Sequence, residues 1–455
     1  TSGPGPGSSG PGPGSSGPGP GSSGPGPGSS GPGPGSSGPG SGLAGYRLVT
    51  ASAYPGMMAP LTRHPSCICV LSGDAGATPG TTGLSLERLD GVRRRWRFGD
   101  VARLADFVPK VLAASAEDDG RPVLLIPPRA SLAWESAAAA WPGRVRLAAS
   151  PLGVAEPIAE DKIMVRAKLR DLGLPVPEEL ILDASDVDFA TVARKLGTPF
   201  VMQAPSGAGG QGTYLVAVEA DVARALTGQP HVPHWLFSRY AGDVTINSAG
   251  VVYDDGVRLL PVSTQSSGIG ELGFGFGAYC GSTFGGPLAR AVETAAIEAA
   301  AIVGEWLRTL GHRGIFGIDI AVCGSEIALL EVNPRVQGSS WLLSELQDEP
   351  CLVSHVEALV GVPLGVPSRA PDAVRPGSHL LLRWDGPAGV VHELPVCPPG
   401  VTGLPERGVT MLPGAIMARF EADEPLTTSD GRSLVEGARG TILALKEGFD
   451  ITPAR

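Results

Sequence analysis

The alternation of apolar and polar positions is clearest between residues 314 and 335. "GIFGIDIAV" and "EIALLEVN" are apolar runs separated by "CGSE", which predicts two antiparallel strands joined by a tight turn. "PLARAVETAAIEAAAIVGEWLRTLG" (287–311) repeats apolar residues at helical spacing and predicts a long amphipathic helix. "EDKIMVRAKLRDLGLPVPE" (160–178) predicts a helix stopped by Gly173, with two prolines beyond. "PFVMQAPSGAGGQGTYLVAV" (199–218) reads as strand, glycine-rich turn and strand, and "PHWLFSRYAG" (233–242) as a strand and turn. "CICVLSG" (67–73) and "RPVLLIPP" (121–128) predict buried strands, and "VARLADFVPKVLAASAED" (101–118) a helix between them. Cys67 and Cys69 are expected on one face of their strand, since alternate residues point the same way. After about 366 the pattern turns to short strands and turns, ending in a helix at about 430–447.

Composition separates the first residues from the rest. "GPGPGSS" repeats five times from Gly3 to Ser37 and offers no apolar side chain except proline. Such a segment cannot offset its ordering entropy, so residues 1–42 are expected to form a disordered, semi-flexible linker. The remainder divides into a small α/β domain (43–155), a central domain (156–365) and a β-rich subdomain ending in a helix (366–455). Net charge is −10, with no basic stripe to track a nucleic acid. The short "RRRWR" cluster (93–97) reads as local pairing. No apolar run approaches the ~20 residues of a membrane span. Six scattered cysteines suggest reduced thiols and a cytoplasmic protein.

Three groups of residues carry chemistry. The glycines of "APSGAGGQGTYLV" allow backbone N–H groups to wrap an anion, because no Cβ intervenes. No Lys-Ser/Thr follows, so this is not a Walker loop; strand rather than helix follows, so it is not a dinucleotide fingerprint. The second group is the hairpin. Glu331, Asn333 and Arg335 are spaced two apart and are expected to share a face, with Asp319 across the pair. Two carboxylates and an amide oxygen suit Mg²⁺, which commonly keeps substrate phosphates as further ligands. Arg335, one step along, is placed to stabilise a phosphoryl group in transfer. Lys162, at the start of its helix, is the third; alone it reads as a solvated lysine. The stretch 263–286, rich in glycine and aromatics, is expected to be a substrate-facing flap with Gln265 and Tyr279 as its polar contacts.

Together these stretches resemble the ATP-grasp superfamily, in family order over about 155–350. "NPRVQGSS" and "GSHLLLRWDG" are similar to carbamoyl-phosphate-synthetase-like members, including peptide ligases. The resemblance implies an ATP-grasp fold, α/β and α+β, with a preceding α/β domain and a mostly β, lid-like C-terminal region. It implies ATP and Mg²⁺ (or Mn²⁺) as cofactors. Lys162 and Gln203 would face the phosphates, with Gly207, Gly209, Gly210 and Gly212 in the loop over them. Adenine would lie along Phe237, Ser238, Arg239 and Tyr240, and Asp243 is the nearest acid for the ribose. Asp319, Glu331 and Asn333 would hold the metal, and Arg335 would contact the γ-phosphate or an acyl phosphate. Gln203 departs from the family, which places a lysine there. The implied reaction joins a carboxylate to an amine through an acyl phosphate, releasing ADP and phosphate. Partners would be small molecules, including an amino acid and a peptide, with no nucleic acid, no membrane and a homodimer left open. Two alternatives stand: a biotin-carboxylase-like enzyme acting on bicarbonate, and a nucleotide-binding scaffold without catalysis.

Overall fold

The early apolar runs assemble into a five-stranded parallel sheet, in the order Thr82–Ser85, Cys67–Ser72, Arg47–Ser52, Val123–Ile126, Val145–Leu147. The computed structural model describes residues 41–76, 78, 80–114, 119–207, 209–366 and 370–453. The repeat lies outside the described residues, and of the expected linker 1–42 only Ser41 and Gly42 are described, opening the short 3₁₀ turn Ser41–Gly45. Parallel strands covered on both faces should be continuously apolar, and Val123–Ile126 is, as is Cys67–Ser72 up to its final serine. The two cysteines do not share a face. The register slips between Leu48 and Val49, which pair with Cys67 and Cys69, so Ile68 is bulged. A bulge re-aims the following side chains, so Cys67 packs with Leu124 and Ile126, and Cys69 with Val123 and Leu125. The helix expected over 101–118 is split into a 3₁₀ segment, Ala102–Phe107, and an α-helix, Val108–Ala114. Pro109 has no N–H for a continuing helix and sits in the first turn of the new one.

The central chemistry rests on two antiparallel sheets. The smaller runs Glu179–Asp183, His234–Arg239, Phe200–Gln203, Thr213–Val216. The larger has eight strands in the order Glu326–Asn333, Gly314–Cys323, Val244–Val252, Val257–Ser267, Tyr279–Phe284, Gly377–Arg383, Ile416–Ala422, Val401–Thr402. Residues beyond 366 therefore extend the same sheet, through pairing of Tyr279–Phe284 with Gly377–Arg383. The helix Arg290–Thr309 lies on this sheet and buries Val292, Ala296, Ala300 and Val303 against Ile246, Phe316 and Ile320. Its small residues permit close approach: a Cβ at Gly304 would meet Val257 Cγ1 at 2.7 Å.

Gln265 and Tyr279 are strand residues, and the loop expected over 263–286 contracts to the connection between Val257–Ser267 and Tyr279–Phe284. The polar run 263–267 is the alternating end of a strand paired on both sides, not a free flap.

Candidate active site

A cavity of about 350 Å³ opens between the smaller sheet and the end of the larger one. Lys162, Gln203, Gly207, Gly209, Gly210, Ser238, Arg239, Tyr240, Asp243, Gln265, Tyr279, Asp319 and Glu331 all line it. Of the residues singled out in the sequence, Gly212, Phe237, Asn333 and Arg335 do not. Phe237 turns into the core beneath the strand, edge-on to Phe200 at 6.1 Å. Gly212 packs toward Ala204.

Lys162 shows why its helix begins where it does. The Asp161 carboxylate caps the helix by accepting from the Met164 N–H at 2.9 Å. A lysine at the positive end of a helix dipole is unfavourable in isolation. Here Lys162 is buried, donates from Nζ to the Gly207 carbonyl at 2.9 Å and lies 3.7 Å from Glu331 Oε2. The lysine thus ties the glycine loop to the carboxylate end of the hairpin. Two glycines of that loop are required by geometry. Gly207 (φ 147°) would place a Cβ 2.7 Å from the Gln211 carbonyl oxygen. Gly210 (φ 78°) would place one 2.7 Å from the Ala278 backbone. The "RRRWR" cluster pairs locally, with Arg93 buried against Asp74 and Glu87, but Arg95 reaches out to donate to the Gly209 carbonyl at 2.9 Å.

Across the cavity, Asp319 pairs with Glu331 in strand register. Asp319 Oδ1 accepts from Asn247 Nδ2 at 2.9 Å and Gln265 Nε2 at 2.7 Å, and Oδ2 from Asn333 Nδ2 at 3.2 Å. Burial, and then the facing Glu331 charge, push the Asp319 carboxyl above the usual carboxylate range. Two carboxylates forced together in this way call for a cation. The donor set fits Mg²⁺, which takes few protein carboxylates and leaves positions for phosphate oxygens and water. Asn333 presents Nδ2 to Asp319, while its Oδ1 accepts from Arg335 Nη2 at 2.9 Å.

Arg335 departs from the expected alternation. The strand ends at Asn333, and Pro334 cannot donate to continue it. The Arg335 N–H turns back to the Asn333 carbonyl at 2.9 Å. The guanidinium therefore lies behind Asn333, beside a small neighbouring cavity with His312 and His355, and not in the main one.

On the other rim, Tyr240 O–H donates to Asp243 Oδ1 at 2.7 Å, and Arg432 pairs with the same oxygen. Burial and Asp243 together push the Tyr240 phenol up to about 12. Sequence reasoning missed Arg432, Asn247 and Arg166. Arg432 and Asn247 carry no local signal. Arg166 did have one: it lies four residues after Lys162 and so on the same helix face.

Tyr279 closes one end. Its hydroxyl meets His379 Nε2 at 2.8 Å, and His379 packs edge-on to Trp341 at 5.3 Å. Trp341 lines a second cavity of about 650 Å³ that holds Arg63, Arg375 and Arg419 together with Glu345, Glu421 and Asp423. The Arg419 guanidinium lies 3.4 Å above the Tyr54 ring centroid and donates to Asp74 at 2.9 Å.

Residues 159–339 match the family model described as an ATP-grasp domain. Over 223 residues the chain is 27% identical to a formate-dependent phosphoribosylglycinamide formyltransferase of Thioalkalivibrio sulfidiphilus, covering 46% of this chain and 52% of that protein. Over 186 residues it is 29% identical to a D-alanine–D-alanine ligase of Desulforudis audaxviator, covering 40% and 60%. The chain thus spans between half and three-fifths of the length of these curated relatives. The same fold is seen in a carboxyaminoimidazole ribonucleotide synthase of Aspergillus clavatus, complexed with ATP. There the TM-score is 0.57 at 16% identity, over 89% of this chain and 98% of that one.

Proposed function

We propose, from the ATP-grasp domain formed by residues 159–339, that this chain is an ATP-dependent ligase joining a carboxylate to an amine. One observation carries the reading. Lys162 spans from the glycine-loop carbonyl of Gly207 to Glu331, opposite the paired carboxylate of Asp319. That arrangement needs an occupant with phosphates to meet the loop and a divalent cation to meet the carboxylates.

In this reading the backbone of the glycine loop and the Lys162 ammonium hold the phosphates. The strand end around Ser238–Tyr240 takes the base, and Asp243 the ribose. Asp319 and Glu331 would hold Mg²⁺, which supplies charge neutralisation at the phosphates; Asn247, Gln265 and Asn333 fix the Asp319 carboxylate for it. A substrate carboxylate oxygen attacks the γ-phosphorus and ADP leaves. The amine then attacks the acyl carbon, and phosphate leaves with the C–O bond electrons. The amine proton passes to water or phosphate. No protein nucleophile takes part; the residues position groups and stabilise charge.

The second cavity supports an amino-acid or peptide substrate. It is larger than bicarbonate needs, and its three arginines and three carboxylates offer partners to both ends of a zwitterion. The test is to incubate protein and Mg–ATP with a panel of amino acids and score phosphate release. Release that requires an amino acid supports the ligase; release driven by bicarbonate alone, or none with any addition, defeats it.

A further inference from the structure

The phosphate-facing strand offers Gln203 where a cation is expected, and a buried guanidinium stands directly behind it. We propose that Arg166 is a positioning residue for the nucleotide phosphates. It fixes the Gln203 amide with its N–H groups toward the cavity and supplies the positive charge this strand lacks. The inference rests on the nucleotide reading given above.

Arg166 is 1% exposed. Its Nη2 donates to Gln203 Oε1 at 2.7 Å, its Nε to the Leu330 carbonyl at 3.1 Å, and its Nη1 lies 3.6 Å from Glu179 Oε2. Two arms are hydrogen-bonded and the third faces a carboxylate, so the guanidinium is held from three sides. Arginine only donates, so the Gln203 atom that faces it must be the carbonyl oxygen. The amide nitrogen is thereby aimed the other way, where it donates to Thr213 Oγ1 at 3.3 Å. Gln203, Thr213 and Arg166 all line the cavity. A primary amide has two N–H groups, and the second serves an anion.

The electrostatics point the same way. Arg166 also bonds the backbone next to Glu331, one of the two acids proposed to hold the cation. Its charge therefore reaches both the acids and the phosphates they would help bind, in surroundings that screen it less than water does. A lysine in place of Gln203 would press an ammonium against this guanidinium. Gln203 and Arg166 are thus a matched pair: the cation has moved back by one side chain, and the strand residue relays it. Simple replacement of Gln203 by lysine should therefore weaken phosphate binding, not improve it.

A four-protein set tests the pair: wild type, Arg166→Gln, Gln203→Lys and the double variant, each titrated with Mg–ATP by calorimetry and melted in parallel. Arg166→Gln is expected to weaken Mg–ATP on the order of 10–100-fold, the usual effect of losing a charged hydrogen-bond partner. Gln203→Lys alone is expected to weaken it similarly. The double variant, in which the introduced ammonium no longer meets a guanidinium, is expected to recover most of the loss. A purely structural arginine gives a different pattern: a lower melting temperature in Arg166→Gln with unchanged affinity, or a double variant no better than Arg166→Gln. Either overturns the inference. Should Arg166→Gln fail to fold, Arg166→Lys keeps the charge but loses the fork. A folded Arg166→Lys that binds Mg–ATP several-fold more weakly supports the pair, and wild-type affinity overturns it. A wild type that binds no Mg–ATP overturns the nucleotide reading itself, and this inference with it.

Discussion

Asp319 receives amide N–H groups from three different strands, whereas the glycine run that faces it is held by single arms. Asn247, Gln265 and Asn333 converge on one carboxylate. The glycine loop has Lys162 at Gly207, Arg95 at Gly209 and steric contact with Ala278 at Gly210. The first wall is built on sheet pairing and cannot shift without breaking register. The second is a turn closed on its own backbone, Ala204 N–H to the Gly212 carbonyl and Thr213 N–H to the Gly210 carbonyl, and tied to its surroundings by the Lys162 and Arg95 side chains. A wall of the first kind sets where charge is stabilised during reaction. A wall of the second kind sets how a ligand enters and how tightly it is covered. Damage to the carboxylate wall should therefore appear in kcat, and damage to the loop wall in binding.

The largest expected effect tests the carboxylate wall. Glu331→Gln should lower kcat on the order of 10²–10³-fold, the usual loss for one aligned electrostatic group. It should also move the Mg²⁺ dependence to higher concentration. Single-turnover rates across a Mg²⁺ titration check both, and full activity with only a lowered melting temperature would make Glu331 a structural partner of Lys162. Next is Gly210→Val in the loop. A side chain at φ 78° and 2.7 Å from the Ala278 backbone must push the loop away. At ~1–2 kcal/mol for the left-handed conformation alone, KM for ATP should rise about 5–30-fold with kcat changed far less. An equal fall in kcat would show that the two walls act as one.

Arg335→Ala sharpens the contrast. Because Arg335 reaches Asn333 rather than the cavity, its removal should act through the Asn333 amide, at roughly 10-fold for a lost charged hydrogen bond. Asn333→Ala should cost about the same, and the double variant little more than either. Fully multiplied losses would instead place Arg335 on the substrate directly. The smallest effect is in pH. Burial and Glu331 raise the Asp319 pKa, so the protonated form favours the fold. That stability is present below the ordinary carboxylate value of ~3.9 and is lost as pH rises through the raised one. Mg²⁺ should oppose the loss, so its stabilisation of the melting temperature should be larger at pH 8 than at pH 5, and Asp319→Asn should flatten the difference. The buried His312, His355 and His379, held down to about 4, 3 and 3 by burial, act with opposite sign. Their contribution is whole above ~6.5 and is lost as pH falls toward those values. Melting curves from pH 3 to 8, with and without Mg²⁺, separate the two.

The hairpin was legible because everything that defines it is local. The alternation in "GIDIAV" and "LLEVN" and the "CGSE" turn together bring Asp319 to the Glu331 end, and a one-residue register shift between Asp319 and Ile320 sets the two acids directly opposite. The helix at Lys162–Asp171, with Gly173 beyond it at φ 75°, was legible for the same reason. Arg335 was misplaced because the two-residue alternation was carried through Pro334, where a strand cannot continue. Gln265 was read as a flap residue because glycine content outweighed a short polar alternation; its role as a brace for Asp319 depends on a residue 54 positions away. The approach of Arg95 to Gly209, across 114 positions, has no sequence signature at all. Cys67 and Cys69 separate through a one-residue bulge, which composition does not announce.

The pairing of Tyr279–Phe284 with Gly377–Arg383 has a practical consequence for anyone dissecting this chain. A fragment cut at 365 would retain every residue proposed to hold ATP and lose only Arg432 from the rim of that cavity. It would also leave the Tyr279–Phe284 strand with a bare row of N–H and C=O groups. The four residues now paired there are Gly281–Phe284, and all are buried. Stripped of their neighbour, they form an open backbone template for a second copy of the same edge. Such a fragment should be lost to self-association before its chemistry is ever measured. The segment beyond 365 is in that sense the chaperone of the middle.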